Sequence, residues 1–264
     1  MGSRKNIYQS FFDFKGPNYN SYARYPSEGL EKCIYILKEK LKHIKKDISL
    51  LDIGSGLGVP AIKIALTIPN VHFTLNDISI SLLESCERKW PKSINKPTLV
   101  CGNFLKTYFN FNNFDVAFCS FMLHLINDQY SFFKKVYEIL KKDGVVFIVT
   151  HDPKDISSLI FHKYFPRFNE IDQIRMKPIG KITAMLEDIG FKEIEVKRIE
   201  YQITYDSIEE LIEIIEKKDF SAFAHYNTEE YEVAKEVFYD RLKSLEGVYH
   251  SSSIMSCIIA KKIA

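Results

Sequence analysis

The sequence predicts an α/β fold, a doubly wound and mostly parallel sheet, on three observations. Short apolar runs rich in β-branched residues alternate with runs of helical period from about residue 27 to residue 205. Those apolar runs show little polar alternation, as expected of strands covered by helices on both faces. A glycine-rich turn, Gly54-Ser55-Gly56-Leu57-Gly58, follows the first of them directly.

Each element has its own local signal. After Pro26, EGLEKCIYILKEKLKHI has helical period; ISLLDI reads as a strand, Gly58 to about Leu66 as a helix, and VHFTL as a second strand. SLLESCERKW reads as helix, TLVCG and FDVAFCS as strands, and DQYSFFKKVYEILKK as a helix that Gly144 is expected to stop before the strand GVVFIVTH. GKITAMLEDIG ends on a second stop glycine, Gly190, and is followed by the long alternating strand KEIEVKRIEYQITYD. Two further helices, SIEELIEIIEKK with a Ser207 and Glu210 capping box and TEEYEVAKEVFYDRLKSLEG, precede the last strand, SSIMSCIIAKK. Between them DFSAFAHYN carries His225 and Tyr226.

Composition narrows the function classes. A chain of 264 residues with 46% hydrophobic and 27% charged residues can bury an ordinary core. Thirty-six Lys and Arg against thirty-four Asp and Glu leave a formal charge of +2, too balanced for a chain built around phosphate contacts, so no nucleic-acid partner is expected. Five scattered cysteines without a CxxC pair fit reduced thiols and no metal site. The N-terminal stretch lacks the apolar core of an export signal and the longest apolar runs are of strand length, so neither export nor a membrane span is expected and the predicted location is cytoplasmic.

In a doubly wound sheet, ligands bind beyond the carboxyl ends of the strands where the strand order reverses. Gly54, Gly56 and Gly58 sit past one such end, where bare backbone amides can approach a ligand and the next helix N-terminus favours a negative group. Asp77 ends the following strand and can accept hydrogen bonds from two ribose hydroxyls. Together they point to a nucleoside with an anionic tail. Each has a plainer alternative: helix packing for the glycines, a helix cap at Ser79 for Asp77, and a loop pin for Asp52.

The spacing GxGxG preceded by an acid, Asp52-Ile53-Gly54-Ser55-Gly56-Leu57-Gly58, departs from the GxGxxG of nicotinamide-binding turns and resembles the class I S-adenosylmethionine-dependent methyltransferases. The resemblance extends through LNDIS, CGNFLK, NNFDVAFCSFMLHLINDQ and LKKDGVVFIV, and so covers Leu50 to Thr150. It implies a seven-stranded Rossmann-like sheet whose last strand runs antiparallel. It also implies S-adenosyl-L-methionine as cofactor, with S-adenosyl-L-homocysteine as product. Asp52, Gly54, Ser55, Gly56, Gly58, Asp77, Ile78, Asn103, Phe104 and Ser120 are the implied cofactor-binding residues, Asn103 standing where the family often has an acid.

The implied reaction is direct in-line methyl transfer to an O, N or C atom of a small-molecule acceptor. His124 after the fourth strand and His151 at the end of the fifth are the candidate bases. The absence of NPPY or DPPY after the fourth strand disfavours methylation of DNA amino groups. Residues 1–26 are expected to form a lid over the pocket, with Tyr19, Tyr22, Arg24 and Tyr25 facing it, and residues 206–250 a helical cap inserted in a core of 27–205 and 251–264. SSLIFHKYFPRFNEIDQIRMKP is expected to be a long aromatic and basic loop that can present a cation to a carboxylate- or phosphate-bearing acceptor. The alternatives are an RNA or protein methyltransferase and a non-catalytic protein that binds the cofactor.

Overall fold

The computed structural model describes residues 8, 11–12, 27–43, 47–244 and 249–263. Seven strands form one sheet: β1 (Ile48–Ile53), β2 (Val71–Asp77), β3 (Thr98–Cys101), β4 (Phe114–Ser120), β5 (Leu140–His151), β6 (Lys192–Tyr205) and β7 (Tyr249–Lys261). Their order is β3-β2-β1-β4-β5-β7-β6. β1 pairs in parallel with both β2 and β4, so the strand order reverses there and leaves a crevice beyond Ile53. β7 runs antiparallel to both β5 and β6. No helix among the described residues is long and apolar enough to cross a membrane.

The sheet is covered on both faces, and the alternation of side chains along its central strands assigns each residue to one layer. Leu50, Val116, Phe118 and Phe147 pack with α1 (Ser27–Leu41), α2 (Val59–Thr67) and α3 (Ile80–Lys89). Leu51, Ile53, Ala117, Cys119 and Ile148 pack with α4 (Gln129–Ile139) and α7 (Ile179–Ile189) on the other face. All seven residues of β4 are buried, which is why FDVAFCS shows no polar alternation.

A third apolar cluster lies at the ligand edge. The stretch expected to be a loop instead forms α5 (Ile160–Tyr164) and α6 (Phe168–Arg175), because Phe161, Phe165, Phe168 and Ile171 bury against α8 (Ile208–Glu216) and α9 (Thr228–Lys243). Helices from two separate connections therefore share one core. The helix stop also differs from expectation. α4 ends at Ile139, and Gly144 lies inside β5 beside a register shift against β4, where an added Cβ would stand 2.9 Å from the Lys141 carbonyl oxygen. Gly144 thus admits a close backbone approach in the sheet.

Gly58, the residue before α2, has φ of +70°, and an added Cβ would lie 2.0 Å from Cys86 Sγ in α3. Gly58→Ala is expected to destabilise the protein by about 1–3 kcal/mol in urea unfolding. The Gly58→Ala/Cys86→Ala double variant should relieve the 2.0 Å clash and recover part of the loss, leaving the backbone strain and a 3.2 Å contact with the residue 86 Cβ; no recovery would show that the clash is not the cause.

Candidate active site

A single cleft opens at the crevice between β1 and β4 and runs on beneath α5 and α6. Its first half is built from strand ends. Gly54 and Gly56 line it with φ of +71° and +54°. The Gly54 and Ser55 amides donate to the Asn76 carbonyl at 2.8 and 3.0 Å, which clamps the turn to β2. Asp77 follows, with Oδ2 accepting from the Gly56 amide at 2.8 Å and Oδ1 from the Ser79 amide at 2.9 Å. The carboxylate thus makes the cap-like contact of the plainer alternative, and it also lines the cleft.

Ile78, Asn103, Phe104 and Ser120 also line this half. Asn103 Oδ1 is taken by the Leu105 amide at 2.9 Å. Phe104 is buried against Phe109 and Phe132, and the Lys135 ammonium sits over its ring and donates to its carbonyl oxygen at 2.6 Å. Asp52, Ser55 and Gly58 do not line the cleft; they lie buried behind its wall. Asp52 Oδ2 has no hydrogen-bond partner among the described residues, and burial, with Asp77 nearby, pushes its pKa up to about 8. The acid before the glycines therefore holds its proton near neutral pH.

The second half is a chamber of aromatic and aliphatic walls, including Phe121, Phe161, Phe168, Tyr201, Tyr205 and Phe220, with a few convergent polar groups. Phe121 holds the left-handed conformation, φ +49°, which a bulky side chain rarely adopts, and its ring centroid stands 5.1 Å from that of His151. The His151 ring is fixed by hydrogen bonds at both nitrogens. A carbonyl can only accept, so Nδ1 donates to Ile254 O at 3.1 Å and Nε2 carries the lone pair, facing the Tyr201 hydroxyl at 3.3 Å. Burial lowers its pKa to about 4.

His124 is held differently. Arg175 Nη1 donates to Ser221 Oγ at 2.9 Å, and in the tautomer with Nδ1 protonated the hydroxyl hydrogen goes to His124 Nε2 at 3.2 Å. Nε2 is then the acceptor and Nδ1 carries the ring proton. Burial, followed by the Arg175 charge, keeps His124 well below the usual histidine range. Arg175 Nε also bonds Asp172 Oδ1, and Asp172 Oδ2 accepts from His162 Nε2 at 2.8 Å. Burial alone would raise Asp172, but the Arg175 charge and the His162 hydrogen bond outweigh it and hold the carboxyl low.

The structure thus brings both candidate histidines to one chamber, together with Asp172, His162, Tyr201 and Ser221, which sequence reasoning did not single out. Of these, only His162 and Asp172 lie in a stretch that left a signal, the aromatic and basic composition of SSLIFHKYFPRFNEIDQIRMKP. His225 and Tyr226 do not line the cleft: His225 Nε2 pairs with the Tyr8 hydroxyl at 2.8 Å, and the Tyr226 hydroxyl donates to Pro166 O at 2.6 Å. Tyr8 and Phe12 do line it and pack with Leu57 and Leu82, so part of the leader reaches the site. Tyr19, Tyr22, Arg24 and Tyr25 lie outside the described residues. No group of three or more His, Cys, Asp or Glu among the described residues is placed to hold a metal ion.

Asp52 generates a pH prediction. Its folded pKa of about 8 lies above the ordinary carboxyl value of 3.8, so the unfolded chain gives up this proton first, and its contribution to stability is lost as pH rises from about 4 to 8. Asp52→Asn is expected to be more stable than wild type in urea, by a margin that grows over that range to roughly 2–5 kcal/mol at pH 8. A margin independent of pH would refute the assignment.

Comparison with known proteins agrees with this geometry. Residues 51–148 match the family described as the methyltransferase domain. The malonyl-[acyl-carrier protein] O-methyltransferase of Gallionella capsiferriformans is 26% identical over 206 residues, which cover 75% of this chain and 68% of that protein. The ribosomal RNA large subunit methyltransferase G of Pseudomonas putida is 28% identical over 149 residues, covering 52% of this chain and 38% of that protein. Among solved structures, the phosphoethanolamine N-methyltransferase 2 of Haemonchus contortus in complex with S-adenosyl-L-methionine has a TM-score of 0.57 at 20% identity over 89% of this chain. The present chain covers 53% of that one, about half its length. The matched segment 51–148 contains the glycine turn, Asp77, Asn103 and Ser120, so the methyltransferase-domain match spans the strand ends that build the first half of the cleft.

Proposed function

We propose that the protein transfers a methyl group from S-adenosylmethionine to a small-molecule acceptor held in the aromatic chamber, and releases S-adenosylhomocysteine. The observation that carries this reading is the continuity of the cleft: the glycine turn and Asp77 open directly into an enclosed apolar chamber with two fixed histidines. The residues of the first half fit the cofactor. Gly54 and Gly56 leave bare backbone for its amino-acid tail, Asp77 presents its carboxylate at the end of β2 for the ribose, Ile78 and Phe104 supply apolar contact for adenine, and Asn103 has its amide nitrogen left to donate. When bound, the cofactor supplies an activated methyl group on a sulfonium.

The chain's own residues then have three tasks. The aromatic walls exclude water and align the acceptor. His151, with its Nδ1–H anchored on a backbone carbonyl, takes the acceptor's proton at Nε2 by way of the Tyr201 hydroxyl that bonds it, as the new bond to carbon forms. His124, whose Nε2 is occupied by the Ser221 hydroxyl, acts as a hydrogen-bond donor through Nδ1. A formal charge of only +2 and a chamber roofed by α5 and α6 support a small acceptor over RNA.

Calorimetric titration of S-adenosylmethionine and S-adenosylhomocysteine, with NAD as control, tests the cofactor half. Binding of the first two alone is expected, and Asp77→Ala should weaken both by at least about a hundredfold, as the loss of two hydrogen bonds to a charged group implies. Undiminished affinity in a folded Asp77→Ala protein would sink the ribose assignment. His151→Asn should leave cofactor affinity intact and slow turnover. In wild type the acid limb of turnover should lie near pH 4, below the ordinary histidine value of 6.5, because the neutral ring is the active form.

A further inference from the structure

The acceptor chamber contains a buried cation that the reading above does not use. Arg175 ends α6 with its side chain 9% exposed, and it lines the cleft. Its contacts among the described residues are made through Nε to Asp172 and through Nη1 to Ser221, and neither engages Nη2. Asp172, the nearest counter-charge, has its two oxygens taken by Arg175 and His162. A purely structural pin between α5, α6 and the turn at Ser221 needs only the Nε and Nη1 bonds. Burial of an ion pair is costly, and an apolar pair of similar size holds helices together as well. Three of its five N–H donors, two of them on Nη2, are therefore left for a partner inside the cleft.

The hydrogen bookkeeping supplies a second donor. In the tautomer whose Nε2 accepts the Ser221 hydroxyl hydrogen, the ring nitrogen His124 offers to a ligand is the protonated Nδ1. Two donors tied to one hydroxyl, in a chamber whose walls are otherwise aromatic and aliphatic, match a planar monoanion on an apolar body. A phosphate dianion needs more positive charge than one arginine already paired with an aspartate.

We propose that Arg175 and His124 form a carboxylate subsite, so that the methyl acceptor is an apolar, preferably aromatic, molecule carrying a carboxylate. This rests on the methyltransferase reading above. The carboxylate is the handle, and the methylated atom is a different one, placed beside His151. Because Asp172 offsets the arginine charge, recognition comes from directed hydrogen bonds, and the expected preference is modest.

The test uses the full chain saturated with S-adenosylhomocysteine. 3-Phenylpropionate, its neutral amide and inorganic phosphate are each titrated by calorimetry at constant ionic strength. The acid is expected to bind about tenfold more tightly than the amide, a difference of about 1.4 kcal/mol, with phosphate failing to compete. Arg175→Gln should abolish the preference and leave affinity for S-adenosylhomocysteine unchanged. Should that variant unfold with Asp172 left unpaired, the Arg175→Gln/Asp172→Asn double variant removes both charges and is expected to behave in the same way. Equal binding of acid and amide, binding of neither, competition by phosphate, or a preference that survives loss of Arg175 overturns the proposal. Failure of S-adenosylhomocysteine itself to bind would instead overturn the methyltransferase reading on which it rests.

Discussion

The backbone of the glycine turn is held by the end of β2, and the rest of the site depends on that tether. Asp77 receives the Gly56 and Ser79 amides on its two oxygens, while the Asn76 carbonyl receives those of Gly54 and Ser55. Asn76 also turns its side-chain amide the other way, donating to the carbonyls of Val100 and Gly102 at 2.9 and 3.0 Å. Two consecutive residues thus stitch the ends of β1, β2 and β3 into one rim. Most of these bonds involve backbone groups of a buried edge that would otherwise go unpaired, so the rim is stabilised as it is shaped.

This explains why one half of the site is legible in the sequence and the other is not. The turn, Asp77 and Asn103 fall within about fifty residues, each at the end of a strand recognisable from its apolar run, so spacing alone places them together. The sequence does not distinguish Asp52, Ser55 and Gly58, which support the turn from behind, from Gly54 and Gly56, which face the cleft. That distinction depends on side-chain direction, which the motif does not encode.

The chamber is assembled over long separations. His124 meets Ser221 across 97 positions, and His151 meets Ile254 across 103. No local pattern announces such pairs. The stretch from Ser157 to Pro178 misled for a related reason: its aromatics are spaced for helices only once α8 and α9 exist to bury them. Gly144 followed the same logic in reverse. A glycine after a helical run resembles a helix stop, whereas here the approach of the Lys141 and Phe114 carbonyls requires it.

The two halves also differ in how they treat charge, and the difference bears on the proposed base. Burial keeps His151 neutral, but the same burial makes it a weak proton acceptor, since a buried imidazolium lacks solvation. In the proposed reaction a base so weakened gains from a negative charge that arrives with the acceptor. An acceptor whose carboxylate docks on Arg175 brings one: at an effective dielectric of about 20, a unit charge roughly 8 Å away stabilises an imidazolium by about 2 kcal/mol. Such an acceptor strengthens the base as it binds, and a neutral molecule of the same shape leaves His151 as it was. Discrimination between the two then falls on the chemical step as well as on binding, because the interaction grows as the proton moves onto Nε2.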